Sequence, residues 1–327
     1  MRKKRSEKRR QQQAQESNSS EDFVLPPDRR GIEKTLSDIG RLMKEQEFSS
    51  IDEMNAFLEK LMTSGGPPPT TAHTPLEEAQ DIMYQAWDAR SRRQRVQLAR
   101  KALSVSEDCA DAYVLLAEET AKTVEEAQRL YAQGVAAGER ALGPEVFEED
   151  SGHFWGILET RPYMRARQGL AQCLWAMGRK EEAITHFRDM LRLNPNDNQG
   201  VRYLLVTLLL EVEDDDALKQ LLDEYKDDGT AVWLYSRALW QFRRDGASRA
   251  ATNLLKKAIK HNPSVPLYLL GRKRLPRQLP LYMGFGDESE AVHYAAEAMD
   301  IWQRNKAALA WLREVFGGDD AGPRKQR

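Results

Sequence analysis

The side chains that could do chemistry in this sequence are few and scattered. Histidine and cysteine are common metal ligands, nucleophiles and general bases, and the candidates are His73, Cys109, His153, Cys173, His186, His261 and His293. None has a second ligand at the short spacing of a zinc motif, and the two cysteines form no CxxC pair. We therefore expect structural or solvent-facing histidines, buried free thiols, no disulfide framework, no metal and no other cofactor.

Two further features could support catalysis or anion binding. The acidic runs 148–150 and 214–216 hold adjacent carboxylates, but each lies between predicted helices, where a solvated charge run is the simpler interpretation. Gly284 and Gly286 flank Phe285 just before a predicted helix, whose first N–H groups can bind an anion, yet no phosphate-loop motif is present. These patterns predict a protein that is not an enzyme.

The helices that would position these residues follow a repeat. Two Asn-Pro pairs, Asn194-Pro195 and Asn262-Pro263, stand 68 residues apart, and each closes an amphipathic, alanine-bearing stretch. That spacing is twice the period of about 34 residues found in tetratricopeptide repeats (TPRs), which are helix-turn-helix units. The sequence therefore predicts consecutive helix pairs that share one register.

The unit that ends at Pro195 shows what the repeat positions do. Ala171 and Ala183 are small enough for two antiparallel helices to approach closely, and Phe187 fills the space between them. The proline ends the second helix because it cannot donate the next backbone hydrogen bond. Similar spacings recur before and after this unit. The predicted fold class is all-α, a right-handed TPR-like α-solenoid of about four helix pairs over residues 75–263.

The segments outside the repeats have patterns of their own. Residues 31–63 predict a helical hairpin, which cannot form a stable core alone and must dock on the repeats, dimerise or bind a partner. Residues 64–74 are a Pro/Gly linker. Prolines and glycines interrupt residues 264–286, which predicts an extended, packed connection, and residues 287–317 predict a C-terminal helix pair that caps the solenoid.

An insertion separates two of the predicted helix pairs. Residues 143–163 are too long for an ordinary inter-repeat turn, and they contain Phe147, Phe154, Trp155 and Tyr163. Two interpretations stay open at this point. The aromatic residues pack as an inserted helix against the solenoid wall, or they contact a ligand directly.

Charge and hydropathy distinguish the ends of the chain from its body. The 327 residues are 31% charged with a net charge of −2, and they contain no apolar run long enough to span a bilayer and no signal peptide, so we expect a soluble, cytoplasmic protein. Residues 1–10 hold seven Lys or Arg and one Glu. We predict a disordered basic tail over residues 1–30 and a second disordered tail over residues 318–327.

One face of the predicted solenoid has the composition of a binding surface. The first helix of each TPR pair lines the concave side, and the register places arginines and tryptophans there. The predicted groove consists of Arg165, Gln168, Gln172, Trp175, Gln199, Arg202, Ser236, Arg237, Trp240 and Arg243. Guanidinium groups suit carboxylates and indoles cover apolar side chains, so the expected partner is a protein or peptide, and an acidic one fits best. The alternatives are a solvated helix face, and a nucleic-acid-associated regulator that uses the basic tail and residues 272–277.

Three segments resemble a known family. They are residues 109–119 continued by 127–131, the stretch 164–192, and the helix start Gly-Asp-Glu-Ser-Glu-Ala at 286–291. In this order they look like the suppressor of tumorigenicity 7 family, over residues 100–315. Animal members have N-terminal membrane segments that are not found in this sequence, so their membrane location is not carried over. The resemblance implies a helical-repeat interaction protein, a scaffold without a catalytic site.

Overall fold

The described part of the chain is entirely helical. A computed structural model describes residues 29–318, and over that range it contains fifteen α-helices, two 3₁₀ turns and no strand. The α-helices are α1 (Arg29–Lys44), α2 (Ile51–Thr63), α3 (Pro75–Asp88), α4 (Arg92–Val105), α5 (Ala110–Thr120), α6 (Val124–Glu149), α7 (Arg161–Ala176), α8 (Lys180–Leu193), α9 (Val201–Val212), α10 (Asp215–Glu224), α11 (Ala231–Asp245), α12 (Arg249–His261), α13 (Val265–Leu269), α14 (Glu288–Arg304) and α15 (Lys306–Gly318). Residues 1–28 and 319–327, which hold most of both predicted tails, lie outside the described residues.

Side-chain caps explain where several helices begin. The first N–H groups of a helix have no partner within it, and a Ser, Thr or Asp just before the helix can accept from them. The Thr123 hydroxyl accepts from the N–H of Glu126 at 3.2 Å, and the Glu126 carboxylate accepts in turn from the N–H of Lys122 at 2.8 Å. Asp214 caps α10 and Asp287 caps α14 in the same way. Local sequence thus fixes these starts.

The chain divides into two compact units, and the first ends at Glu107. Its helices are α1 to α4, of which α3 and α4 pack along each other through fully buried alanines and Met83. The Arg41 side chain of α1 donates to both carboxylate oxygens of Asp81 on α3, at 2.7 and 3.2 Å. Thr70 in the linker donates to Asp38 on α1 at 2.6 Å. Within this unit α1 therefore packs on α3, and the hydrogen bond from Thr70 holds the linker against α1.

The second unit begins at Asp108 and consists of consecutive helix pairs. The pairs are α5 with α6, α7 with α8, α9 with α10, α11 with α12, and α14 with α15. Ala171, Ala183 and Phe187 are all fully buried, as close packing of two helices requires. The first helices also contact one another, α5 with α7 and α9 with α11. Successive helix pairs of the second unit therefore contact one another through their first helices.

The final pair packs on the preceding helices after an interruption in the chain. Helix α14 packs on α9 and α11, whereas α15 packs on α12. The predicted extended connection, residues 264–286, is not extended throughout, since it begins with the five-residue helix α13. Pro266 lies in the first turn of α13. No helix hydrogen bond is lost there, because a backbone N–H in the first turn has no partner within the helix.

A buried carboxylate joins α14 to the preceding pair. Glu290 is 1% exposed and accepts hydrogen bonds from the backbone N–H groups of Ala231 at 2.8 Å and Gly286 at 2.9 Å. It also accepts from the side-chain amide of Asn262 at 2.9 Å and lies 3.0 Å from His261 Nε2. One side chain thus connects the start of α11, the end of α12 and the start of α14.

No helix within residues 29–318 combines the length and the apolar composition that a membrane crossing needs.

Candidate functional site

The predicted groove residues lie on three neighbouring first helices or directly before them. Arg165, Gln168, Gln172 and Trp175 are on α7, Gln199 and Arg202 are at the start of α9, and Ser236, Arg237, Trp240 and Arg243 are on α11. We call this surface the first-helix face. Cross-helix hydrogen bonds join it: Gln199 donates to Gln168 at 3.0 Å, and the Trp175 indole donates to Glu211 of α9 at 2.7 Å. The structure therefore joins the α7 and α9 residues into one surface, which Arg243 of α11 extends by donating to the carbonyl of Leu210. Arg237 and Trp240 instead donate to carbonyls of the second helix α10.

The first arginine of this face is held by a buried acid. Arg165 donates from Nε and Nη2 to the two carboxylate oxygens of Asp111 on α5, at 2.8 and 2.7 Å. The Asp111 side chain is fully buried and that of Arg165 is 14% exposed. A two-pronged pair of this kind fixes the orientation of the guanidinium. Arg165 therefore connects α7 to α5 and presents little surface to a partner.

Arg202 is the centre of a second internal cluster. Its Nε donates to Asp228 at 2.9 Å, its Nη1 to Asp197 at 3.0 Å and its Nη2 to the Tyr203 hydroxyl at 2.6 Å. Its guanidinium also lies over the rings of Tyr203 and Tyr225, at 4.4 and 5.3 Å from their centroids. Each of its nitrogens is thus engaged within the chain.

The two carboxylates on Arg202 differ in their electrostatics. Burial raises the pKa of Asp197 above its ordinary value, and its hydrogen bonds from Arg202 and Val201 do not fully offset that effect. Burial also raises the pKa of Asp228, but the hydrogen bonds from Thr230, Tyr203 and Arg202 outweigh it and leave the pKa lowered. Asp228 therefore favours its charged form and is the stronger partner of the guanidinium.

The α11 residues are the most enclosed part of the face. Ser236 and Trp240 are buried, and the Trp240 indole donates to the carbonyl of Asp215 at 2.9 Å. Arg243 is also largely buried and donates to the carbonyl of Leu210 at 2.8 Å. Arg237 donates to the carbonyl of Leu222 and keeps about a quarter of its side chain exposed. Of the four predicted residues on α11, Arg237 offers the most accessible charge.

Several predicted residues keep accessible surface. Gln172 is exposed, and Trp175 is half-buried beside it on the same helix. Where α9 ends, a cleft between α9, α11 and α14 is lined by Leu210, Glu211, Glu213, Arg243, Ile301, Arg304, Asn305 and Lys306. Its cations alternate with carboxylates, an arrangement that suits polar peptide groups better than a purely acidic ligand.

A second cleft lies at the other end of α9 and was not predicted. It is lined by Pro195, Asn196, Arg202, Tyr203, Glu224, Tyr225, Asp227, Asp228, Gly229, Thr230 and Phe285. The Tyr225 hydroxyl donates to the carbonyl of Pro195 at 2.9 Å, which connects α10 to the Asn-Pro turn. The sequence does predict a turn and a helix cap at Asp228-Gly229-Thr230. It does not show that Tyr203 and Tyr225 lie together at this turn.

The aromatic residues of the 143–163 insertion pack on one another. The ring centroids of Phe147 and Phe154 are 5.2 Å apart, and those of Phe147 and Tyr163 are 5.0 Å apart. Phe154 is fully buried, whereas Trp155 lies under the guanidinium of Arg161 at 5.3 Å. Residues up to Glu149 continue α6 past a break at Gly143, and residues 154–156 and 158–160 form two 3₁₀ turns. Phe154 and Trp155 therefore do not form the inserted helix of the packing interpretation.

The histidines, cysteines and acidic residues singled out in the sequence do not form a metal site in the described part of the chain. Among residues 29–318, no three His, Cys, Asp or Glu side chains lie together as metal ligands would. Burial raises the pKa of the Cys109 thiol to about 12, so it is not a thiolate at neutral pH. Burial and the nearby Arg167 lower the pKa of His186, whose Nδ1 accepts from Arg167 at 3.2 Å.

The sequence matches a family model described as ST7 protein over residues 70–320. It is 31% identical over 265 residues to Suppressor of tumorigenicity 7 protein-like from Homo sapiens, an alignment that covers 74% of this chain and 46% of that protein. It is 29% identical over 265 residues to Protein ST7 homolog from Drosophila melanogaster, covering 74% of this chain and 49% of that protein. The chain thus spans about half the length of the curated relatives it matches.

Proposed function

Because this chain belongs to the ST7 protein family, as the three quoted segments had suggested, we propose that it is a scaffold that binds a protein or peptide partner and that it performs no catalysis of its own. The proposal includes a TPR-like arrangement of its helix pairs and a cytoplasmic location. Support for the repeat arrangement comes from the consecutive helix pairs of the second unit, from the contacts between their first helices, and from the buried alanines where its helices cross.

The observation that carries the binding proposal is the cross-linked first-helix face. Hydrogen bonds between successive first helices hold Arg165 on Asp111, Trp175 on Glu211 and Arg243 on Leu210. A partner that docks there meets donors and rings already fixed in place, so little side-chain entropy is lost on binding.

The internal ion pairs change which residues would touch the partner. Arg165 and Arg202 hold the helices together and have their donors engaged, so their role is to position the face. Direct contacts fall to Gln172, Trp175 and Arg237, with the cleft at the end of α9 receiving polar groups of the peptide. A carboxylate of an acidic peptide would therefore be recognised mainly by Arg237, and the mixed charges of that cleft would receive the polar groups of the peptide.

Site-specific photocrosslinking tests this assignment. A photoreactive residue replaces Gln172 on α7, and the matched control replaces Gln220, which is also exposed but lies on the second helix α10. We expect one protein partner to crosslink at position 172 and not at position 220. The double variant Gln172→Glu with Arg237→Glu should weaken capture by tenfold or more, that is by at least about 1.4 kcal/mol.

The control for charge is Asn253→Glu with Lys256→Glu, two exposed positions on the second helix α12, which changes the net charge by the same amount. It should leave capture unchanged. Equal loss in both double variants would mean that overall charge, and not the first-helix face, controls binding. Crosslinking at position 220 alone would place the partner on the second helices and end the proposal.

A further inference from the structure

A short loop in the second unit leaves five large apolar side chains in water. Between α13 and α14, residues 279–285 present Leu281 at 83%, Phe285 at 75% and Tyr282 at 68% exposure, and Leu279 and Met283 are at 48% and 44%. We call residues 279–285 the apolar loop. Single exposed apolar residues are ordinary on a protein surface, but a contiguous group of this kind marks an interaction site.

The backbone of the apolar loop is tied to α14. The carbonyl of Pro280 lies 3.0 Å from His293 Nε2, and the N–H of Gly284 donates to the Ser289 hydroxyl at 2.9 Å. Pro280 has no N–H of its own. Several polar backbone groups of the loop are therefore satisfied or missing, which lowers the cost of moving the loop out of water.

The basic run that precedes the loop lies beside the same end of α14. Lys273 pairs with Glu288 in the first turn of α14, one residue before the serine that holds the loop. The next basic residues, Arg274 and Arg277, are exposed and have no carboxylate within ion-pair distance in the described chain. Arg277 is two residues before Leu279, so the Cα atoms of this pair are within about 8 Å of each other. Unpaired guanidinium groups thus adjoin the apolar side chains.

The carboxylates near the loop do not cancel these charges. The two in the first turn of α14 are engaged within the chain, by Lys273 and by backbone N–H groups. Glu224 and Asp227 are exposed and line the cleft that Phe285 borders, but the exposed Lys226 stands between them in the chain. The unpaired charges around the loop are therefore more basic than acidic.

We propose that the apolar loop inserts into the surface of a phospholipid bilayer, with Arg274 and Arg277 at the level of the lipid phosphates. A guanidinium group binds phosphate oxygens with two donors at once. An amphipathic ring such as that of Tyr282 suits the boundary between headgroups and acyl chains. The contact goes beyond the proposed binding of a partner, because it holds the scaffold on a membrane through the second unit.

The shape and the charge of the loop favour lipid over a protein partner. Leu281 and Tyr282 are each more than two-thirds exposed, so neither side chain lies in a groove. A protein partner would have to supply a well-packed pocket for each of them, whereas acyl chains adapt to a protruding side chain. An anionic leaflet also attracts the unpaired arginines.

Fluorescence quenching in the full chain tests the insertion. A fluorescent amino acid replaces Tyr282, and the matched control carries it in place of Met62 on α2, which is 71% exposed. The vesicles contain phosphatidylcholine and phosphatidylserine, with a quencher attached to the acyl chains. We expect about twofold or stronger quenching at position 282 and none at position 62, because only an inserted residue reaches the acyl boundary.

This readout separates the loop from the basic residues 1–10, which can attract the chain to an anionic vesicle by charge alone. A chain that floats with the vesicles while the label at position 282 stays unquenched would overturn the proposal.

A pair of apolar-to-acidic variants measures what the loop contributes. Leu281→Asp with Phe285→Asp should lower the vesicle partition coefficient at least tenfold, because two apolar anchors are lost. The control is Ile51→Asp with Met62→Asp on α2, at 72% and 71% exposure, and it should keep the wild-type coefficient. Both variants should melt with the wild type, since all four side chains are exposed. Equal losses of vesicle binding would show that the loop has no special part in it.

Charge reversal tests the arginines separately. Arg274→Glu with Arg277→Glu should lower partitioning onto phosphatidylserine vesicles at least tenfold. Lys256→Glu with Lys257→Glu changes the net charge by the same amount at two exposed positions of α12 and should leave partitioning unchanged. A similar decrease in both variants would assign the attraction to overall charge and overturn the arginine contact.

Two other outcomes would overturn the proposal. One is a wild-type chain that binds neither phosphatidylcholine nor phosphatidylserine vesicles at any lipid concentration. The other is a chain that ignores vesicles but loses capture of a protein partner in the Leu281→Asp, Phe285→Asp variant, which would assign the loop to a protein surface. The vesicle measurements contain no partner and leave the first-helix face unchanged, so they can fail independently of partner capture there.

Discussion

Arg202 bridges Asp228, which precedes α11, to Asp197, which precedes α9, with N···O distances of 2.9 and 3.0 Å. The side chains of Asp197 and Asp228 are 1% and 5% exposed. A residue that the sequence suggested for partner binding is therefore a clamp between two turns of the fold.

Because Arg202 holds these two turns together, reversing its charge should make the chain less stable than the wild type. Arg202→Glu would place three carboxylates together with no cation, and we expect it to lower the free energy of unfolding by about 3–5 kcal/mol. Urea denaturation followed by circular dichroism measures this. The control is Arg192→Glu, whose side chain is 55% exposed and should cost below about 1 kcal/mol. Similar midpoints for both variants would show that Arg202 does not hold the fold.

A pair of glycine substitutions tests how closely α6 and α7 approach. At Gly138 an added Cβ would lie 2.8 Å from Tyr163 Cβ and 3.1 Å from its Cα. Gly138→Ala should therefore destabilise by about 1–3 kcal/mol through overpacking. Gly40 lies inside α1 and has open space around it, so Gly40→Ala should stabilise by about 0.5–1 kcal/mol through helix propensity alone. Thermal melts of the two variants should shift in opposite directions.

The repeat register predicts a further close contact. Ala183 is fully buried between α7 and α8, and Ala183→Leu should cost about 1–3 kcal/mol because the helices must separate. Gln172→Leu introduces the same side chain at an exposed position of α7, and its melting temperature should match that of the wild type. A neutral Ala183→Leu would contradict the register.

We expect the folded chain to lose stability on acidification because of His186. Burial, and then Arg167, lower its pKa below the ordinary value of 6.5. Above pH 6.5 the histidine is neutral in the folded and unfolded chain, and its contribution is fully present. As the pH falls toward the lower folded pKa, the unfolded chain binds a proton that the folded chain does not, so stability decreases.

The melting temperature should therefore fall more steeply for the wild type than for His186→Gln between about pH 7.5 and pH 5. Parallel slopes would assign the acid sensitivity over this range to other groups. Asp228 is not one of them, because its pKa is lowered from 3.8 and its contribution is lost only at lower pH.

The sequence predicts an all-helical chain well because each helix depends on local signals. Caps such as Thr123 and Asp287 and buried alanines such as Ala183 can be recognised from spacing alone. The partners of the arginines could not be predicted in this way. Arg165 and Asp111 are 54 residues apart, and only the stacking of successive pairs brings them together. Arginines that the sequence assigns to a basic binding face, such as Arg165 and Arg202, therefore form ion pairs within the fold.

The carboxylate of Glu290 has a consequence for how the chain unfolds. In a simple repeat array the end units fray first, because each contacts only its neighbour. Here removal of α14 would strand the Ala231 N–H and the Asn262 amide, both of which Glu290 satisfies. Helix α14 should then exchange its amide hydrogens together with α11 and α12, and these three helices should behave as one cooperative block.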